Sequence, residues 1–315
     1  MSVAWLFPGQ GSQSVGMGKD VLTTSKAARD AFERADAALG EPLSKLILEG
    51  PEERLTLTAN AQPAIVAMSC ALLAAIRERM PDLPLPAFAA GHSLGEYSAL
   101  VAADALSLED AVRLVRARGH AMQEAVPPGT GAMSAVMGVE PQRLEALCAK
   151  AADGEVVSPA NFNAPGQIVV AGHAAAVARI GELILAEKGA RAIPLKVSAP
   201  FHCALMAPAA RVVETELGRI SMSTPRFPIV ANFDARPNSD PSRAKDLLVR
   251  QVDGPVRWED TIRRMVSEGV TRALEIGPGK VLAGLVKRIT KDLRVLSVSD
   301  GAALDQIASF LAEAG

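Results

Sequence analysis

The apolar run LPAFAA at residues 85–90 passes without a spacer into Gly91-His92-Ser93-Leu94-Gly95, and then into the small-residue helical pattern of residues 96–100. A strand that turns into a helix over so few residues commits the chain to a βα unit. Gly-x-Ser-x-Gly at that point is the pattern of a nucleophile elbow, in which a sharp turn exposes the serine hydroxyl and the glycines let strand and helix approach closely. The helix starting there aims its N-terminal N–H groups and the positive end of its dipole at any anion formed beside Ser93. The N–H of Leu94, just after the serine, is the expected oxyanion donor. The competing reading, a Gly-rich turn with a capping serine, is the weaker one in a strand-turn-helix context.

The rest of the chain fits an α/β class. Residues 3–7 form a short apolar run ending at Pro8-Gly9, which predicts a buried first strand. Helical patterns occupy residues 26–39, 63–79 and 108–125, the last opened by Ser107 with Asp110 as a capping pair. This alternation predicts a mostly parallel sheet covered on both faces. After residues 126–131 (VPPGTG) the rhythm changes. Strands are expected at 133–139, 156–159, 167–171 and 190–197, and helices at 141–152 and 174–188, with a loop carrying Asn163-Ala164-Pro165-Gly166. That order, βαββαβ, is a ferredoxin-like plan. The expected division is a main domain of residues 1–128 and 199–315, with a subdomain inserted at 129–198. From residue 201 the first pattern resumes, with helices at 205–217 and 256–267, strands at 229–232 and 272–276, and a helical end.

Composition narrows the function classes. Lys+Arg (33) nearly balances Asp+Glu (35) and aromatics make up 3%, so neither the basic stripe nor the stacking platforms of a nucleic-acid surface are present. Cys70, Cys148 and Cys203 are far apart and odd in number, which suggests neither a disulfide framework nor a zinc site. The first residues, MSVAWLFPGQGSQ, lack the basic start of a signal peptide. The most apolar segment, residues 64–76, is too short to span a bilayer and predicts a buried core helix. A cytoplasmic monomer with no membrane and no nucleic-acid partner is the expectation.

A serine nucleophile needs a base, and the chain has four histidines. His92 adjoins Ser93, and consecutive turn residues point apart. His120 lies on the polar side of its helix, and His173 follows a strand of the insert. His202, where the chain leaves the insert, is the favoured base. No acid lies after an apolar strand of the main sheet between Ser93 and His202. Asp104, Glu109, Asp110 and Glu124 are helical, and Glu140, Asp153, Glu155 and Glu182 belong to the insert. A Ser-His dyad with its imidazole oriented by a backbone carbonyl is therefore expected rather than a triad.

Arg118 bears on the substrate. At roughly 100° per residue it falls at the edge of the apolar face made by Ala111, Val112, Val115, Gly119 and Met122, while Arg113 and Arg116 point away. An inward guanidinium needs an anion and can grip a carboxylate through two parallel hydrogen bonds. The plainer alternative is a structural ion pair. Pro8-Gly9-Gln10-Gly11-Ser12-Gln13 follows the first strand and fails the dinucleotide pattern, because Ser14 stands where its third glycine belongs. That loop can instead offer the N–H of Gln10 as a second oxyanion donor.

Together these segments resemble the malonyl-CoA:acyl carrier protein transacylase family. The resemblance runs through FPGQGSQ, GHSLGEYSAL, the Arg118-Gly119 helix leading to MQEAVPPGTGAM, NFNAPGQIVVAGH, PFHCALM and EIGPGKVLAGL. It implies an α/β-hydrolase-like domain with a ferredoxin-like insert. It also implies Ser93 as nucleophile, His202 as base, the amides of Gln10 and Leu94 as oxyanion hole, and Arg118 as clamp for the malonyl carboxylate. Gln251 matches the residue whose backbone carbonyl orients the histidine, and Phe201 favours a malonyl over a methyl-branched unit. The implied reaction is ping-pong transfer of malonyl from malonyl-CoA, through a malonyl-serine ester, to the phosphopantetheine thiol of acyl carrier protein in fatty acid synthesis. Malonyl-CoA and coenzyme A enter as substrate and product, and no cofactor or metal is expected. Rivals are a polyketide or malonate-decarboxylase transacylase, a serine thioesterase, which leaves Arg118 without a task, and an idle carrier-docking module, which leaves the Ser93/His202 pair unexplained.

Overall fold

Strand β1 (Ser2–Phe7) is covered on both sides: Trp5 and Phe7 belong to one apolar cluster, Ala4 and Leu6 to another. A run of apolar residues without alternation is what a central parallel strand requires. The computed structural model, which describes residues 2–313, continues with helices α1 (Lys19–Thr24), α2 (Lys26–Leu39), α3 (Leu43–Glu49), α4 (Glu52–Thr56) and α5 (Thr58–Arg79). Next come β2 (Phe88–Gly91), α6 (Gly95–Ala102) and α7 (Leu108–Glu124). A βαββαβ run follows: β3 (Gly131–Met137), α8 (Pro141–Ala152), β4 (Val157–Ala164), β5 (Gln167–His173), α9 (Ala174–Leu185) and β6 (Arg191–Pro194). The remainder holds α10 (Ala207–Gly218), β7 (Ile229–Val230), β8 (Pro237–Asn238), α11 (Pro241–Asp253), α12 (Trp258–Ser267), β9 (Val270–Ile276), α13 (Val281–Ile289), β10 (Arg294–Val298) and α14 (Gly301–Ala312).

The strands form two sheets. Six make the order β10-β9-β1-β2-β7-β8, parallel except for the terminal β7–β8 pair. The other four form an antiparallel sheet, β4-β5-β3-β6. One face of this smaller sheet is closed by α8 and α9 around Val136, Leu144, Ile168, Val170 and Ile180. From its other face Met133, Ala160, Val169 and Ala171 join the main core, so the small sheet is packed against the large one.

Three expectations need correction. Helix α5 begins at Thr58 and carries Pro63 inside it, rather than starting there. Pro63 has no N–H to give to the Ala59 carbonyl one turn back, and Arg116 Nη1 donates to that oxygen instead, at 2.7 Å. The whole helix is 22 residues and long and apolar enough to cross a membrane, yet 89% of its most apolar window is buried in the fold. Second, the chain end is not wholly helical: β10 pairs with β9 as an edge strand, and its short, mostly half-exposed RVLSV carries little period-2 signal. Third, β4 runs on through Asn163 and Ala164, with register shifts around Pro159–Asn161 and Phe162–Ala164 accommodating a strand proline. Only Pro165 and Gly166 are left for the turn.

Candidate active site

The elbow is built by backbone proximity. A Cβ on Gly91 would lie 1.9 Å from the Gly95 carbonyl carbon, and one on Gly95 would lie 2.2 Å from the Phe7 carbonyl oxygen. Only bare backbone fits between β2, α6 and the end of β1. Ser93 is held at φ 53°, in the left-handed region, and so is His202 at φ 60°. Such conformations persist in non-glycine residues when the surroundings over-determine them. At Ser93 those surroundings are visible. Its N–H donates to Asn232 Oδ1 at 2.7 Å, its carbonyl accepts from Gln251 Nε2 at 3.0 Å, and Asn232 Nδ2 donates to the Gly91 carbonyl at 2.7 Å.

His202 Nε2 lies 2.8 Å from Ser93 Oγ, and its Nδ1 lies 2.8 Å from the Gln251 carbonyl oxygen. Nδ1–H donating to that carbonyl leaves Nε2 as the acceptor facing the serine hydroxyl, which is the tautomer a general base needs. Burial is the chief cause that drives the imidazole down to about 3, with the Arg118 charge adding to it and the Gln251 carbonyl opposing it. His202 is therefore neutral across the physiological range. Two of the other histidines are occupied elsewhere, His92 Nε2 pairing with Asn163 Oδ1 at 2.9 Å and His173 Nδ1 accepting from the Val156 amide, and His120 is exposed on α7.

Arg118 is 1% exposed. Helix α7 reaches its position because Gly119 allows contact with the start of α5, where an added Cβ would meet the Ala59 Cα and the Thr58 carbonyl at 2.8 Å. The guanidinium donates from Nη1 to Gln62 Oε1 at 2.7 Å, and from Nη2 to Ser93 Oγ at 3.0 Å and Gln251 Oε1 at 2.9 Å. It faces the Tyr97 ring at 5.9 Å, and its Nε has no hydrogen-bond partner among the described residues. Among the described residues no carboxylate forms an ion pair with it. An unpaired buried cation against a nucleophile is a site for an arriving anion.

These groups open into a cavity of about 330 Å³, which Gln10, Arg118, Met122, Phe201 and His202 line together with Met133, Asn161, Asn163 and Val169 from the four-stranded sheet. Gln10 Nε2 donates to Thr58 Oγ1 at 3.1 Å, whereas the backbone amides of Gln10 and Leu94 have no acceptor among the described residues. Phe201 is 8% exposed and forms apolar wall beside the histidine.

Sequence reasoning passed over Glu96, Gln62, Asn163 and Asn232. Glu96 is 3% exposed, and its carboxylate accepts from the Asn232 amide at 2.9 Å and from Gln251 Nε2 at 2.8 Å. It does not contact His202, so it is no third member of a triad. A single charge in the otherwise apolar GEYSALVA helix was the signal available. Asn232, a polar residue closing an apolar strand, was a second. Gln251 lies on α11, a helix announced only by Asp240-Pro241, where Asp240 caps the amides of Ser242 and Arg243.

The chain as a whole is similar to known proteins. The acyl transferase domain family matches residues 4–307. The malonyl CoA-acyl carrier protein transacylase of Haemophilus influenzae is 46% identical over 98% of both chains. Among solved structures, an acyl carrier protein S-malonyltransferase from Vibrio cholerae is 46% identical with a TM-score of 0.94, covering 98% of this chain and 100% of its own. A malonyl-transacylase in complex with its type II PKS acyl-carrier protein is 44% identical with a TM-score of 0.95 over the same shares.

Proposed function

This chain belongs to the malonyl CoA-acyl carrier protein transacylase family of acyl transferases, and on that premise we propose how its residues carry the reaction. The enzyme transfers malonyl from malonyl-CoA to acyl carrier protein. One observation supports the assignment of roles above all others: Ser93 Oγ sits 2.8 Å from His202 Nε2 and 3.0 Å from Arg118 Nη2.

In the first half-reaction the Ser93 proton passes to His202 Nε2 as Oγ attacks the thioester carbonyl carbon. The Arg118 cation on the same oxygen favours the developing alkoxide. The tetrahedral oxyanion receives the free amides of Gln10 and Leu94. The C–S bond then breaks, and His202 returns its proton to the coenzyme A sulfur, leaving a malonyl-Ser93 ester. In the second half-reaction His202 takes the proton of the carrier's phosphopantetheine thiol, and sulfur attacks the ester carbonyl. Oγ leaves and is reprotonated by His202. Every proton and bond is accounted for by this chain's groups and the two thioesters, so the proposal involves no cofactor.

Arg118 reads the acyl group. Three of its five N–H donors, one on Nη1 and two on Nη2, are engaged with Gln62, Ser93 and Gln251. Each parallel pair of guanidinium donors includes an N–H of Nη2, so a two-pronged grip on the malonyl carboxylate releases at least one of the Nη2 bonds. The bond to Ser93 Oγ is the one weakened when that oxygen becomes an ester. As the carboxylate pairs with Arg118, the charge that depresses His202 is neutralised and the base strengthens. Phe201 and the apolar wall leave the malonyl methylene room without a polar partner.

We further take the enzyme to be a cytoplasmic monomer serving fatty acid biosynthesis. The three free, buried cysteines fit a reducing compartment, and the cleft draws all the groups named here from one chain. The deciding experiment gives the enzyme radiolabelled malonyl-CoA with and without holo acyl carrier protein. Label appearing on the carrier, with slow hydrolysis in its absence, is expected. Rapid release of free malonate in both cases would identify a thioesterase.

A further inference from the structure

Behind the catalytic serine, one carboxyl group holds a side chain and a main-chain amide that arrive from distant parts of the chain. Glu96 lies in the first turn of α6, buried, and its Oε2 accepts from Gln251 Nε2 at 2.8 Å and from the Asn232 amide at 2.9 Å. The amide of Gln251 is thereby given a fixed sense: Nε2 faces Glu96 and the Ser93 carbonyl, while Oε1 faces Arg118 Nη2 at 2.9 Å. The main-chain oxygen of the same Gln251 holds His202 Nδ1. Asn232, the second group bound by Glu96, holds the Ser93 N–H at 2.7 Å.

We propose that Glu96 is a positioning residue for malonyl transfer, fixing Gln251 and Asn232 so that Arg118, His202 and Ser93 are held in mutual register. The inference rests on the reading of Arg118 as the carboxylate-recognising group. The Glu96 oxygen that receives two N–H donors can only accept, so Gln251 cannot turn its amide over without placing Oε1 against it and an N–H against the Arg118 cation, and both contacts would be repulsive. A flipped or mobile Gln251 would leave Arg118 Nη2 free to turn from the position where a carboxylate on Ser93 can reach it. Burial pushes the Glu96 carboxyl up to about 7, against the pull of its two hydrogen bonds and of Arg118 and with Asp234 adding to it. When Glu96 is protonated the two N–H groups on Oε2 direct the proton to Oε1, so Oε2 remains an acceptor for both donors.

A glutamine at this position can present its own carbonyl oxygen to the same two N–H groups, whereas alanine leaves both buried and unpaired. Two measurements on wild type, Glu96→Gln and Glu96→Ala separate positioning from folding. The first is the ratio of malonyl to acetyl transfer onto acyl carrier protein. The second is the rate of Ser93 labelling by phenylmethylsulfonyl fluoride, which needs the serine and its base but no recognition of malonate. For Glu96→Ala the malonyl-to-acetyl ratio is expected to drop at least about tenfold, the scale of losing hydrogen bonds to a charged group, and labelling to slow. Glu96→Gln should restore the ratio to within a few-fold of wild type. An unchanged ratio in a folded Glu96→Ala enzyme, or failure of glutamine to restore it, would overturn the proposal. If wild type labels with the sulfonyl fluoride yet shows no malonyl preference at all, the Arg118 reading fails rather than this one.

Discussion

Arg118 donates a hydrogen bond to Ser93 Oγ at 3.0 Å, from a guanidinium that is buried and forms no ion pair among the described residues. In the proposed mechanism the same cation acts on the nucleophile before substrate arrives and on the substrate's carboxylate afterwards, which would couple acyl selection to activation of the serine through one side chain.

Replacing Arg118 should expose that coupling. Removing one partner of a desolvated, hydrogen-bonded charge pair costs about 2–5 kcal/mol, roughly 30- to several-thousand-fold at about 1.4 kcal/mol per tenfold. Arg118→Ala should depress malonyl transfer by that order while acetyl transfer holds or rises, and Arg118→Lys should rescue only in part, lacking the planar fork. The ratio of the two transfers is the measurement. An equal fall in both would mean that Arg118 supports the fold or the serine alone.

Ser93 should carry the acyl group. Intact-mass spectrometry after brief exposure to malonyl-CoA should reveal one malonyl adduct, absent from Ser93→Ala. Cys203 lies near the base in sequence, but burial pushes its thiol up to about 11, so little thiolate is available to compete. An adduct on Cys203 would contradict the assignment.

The base should behave as half of a dyad. His202→Ala should lower turnover by orders of magnitude. Asp104, Asp110 and Asp153 should tolerate asparagine with most activity kept, since Asp104 pairs with Arg77 and Arg226 and the Asp110 carboxylate accepts from Ser107 Oγ at the start of α7. A loss of about 10³-fold at any of them in a folded enzyme would restore a triad.

Two buried groups should give the pH dependence opposite signs. His202 is held at about 3, below its ordinary 6.5, by burial, Arg118 and His92 against the Gln251 and Gly254 carbonyls. The acid limb of kcat/KM, which reports the free enzyme, should therefore lie well below 6.5, and that of kcat higher, once the malonyl carboxylate neutralises Arg118. For stability, a depressed histidine makes the fold lose ground as pH falls from 6.5 toward 3. Glu96, raised from 4.5 to about 7, contributes fully below 4.5 and loses its contribution as pH rises through 7. Urea midpoints of Glu96→Gln relative to wild type should accordingly climb between pH 4.5 and 7 and level off above it. A difference independent of pH would mean that Glu96 titrates normally.

The elbow should reject any added carbon. Gly95→Ala places a methyl 2.2 Å from the Phe7 carbonyl oxygen, and backbone must shift to admit it. A destabilisation of about 1–3 kcal/mol or more and loss of Ser93 labelling are expected from thermal melts and sulfonyl fluoride kinetics. A variant with wild-type melting and labelling would show that the elbow has slack.

What the sequence determined by itself is what local chemistry encodes. Apolar runs and 3.6-residue periodicity located β1, the elbow strand and most helices. The Ser107 cap marked the start of α7, and glycines on either side of Ser93 required a tight strand-helix turn. Even Arg118's inward direction follows from its phase on α7. The pattern failed where packing overrode it: Pro63 sits inside α5 because Arg116 satisfies the carbonyl it orphans, and β10 exists because β9 offers an edge to pair with. The tertiary structure alone decided which polar groups meet. Ser93 finds His202 across 109 positions, Gln251 reaches the Ser93 carbonyl across 158, and Glu96 bonds Gln251 across 155. A buried donor or acceptor must find a partner, but nothing within a few residues of Glu96 or Asn232 says which one. That depends on which distant segments the hydrophobic core brings against the end of β2.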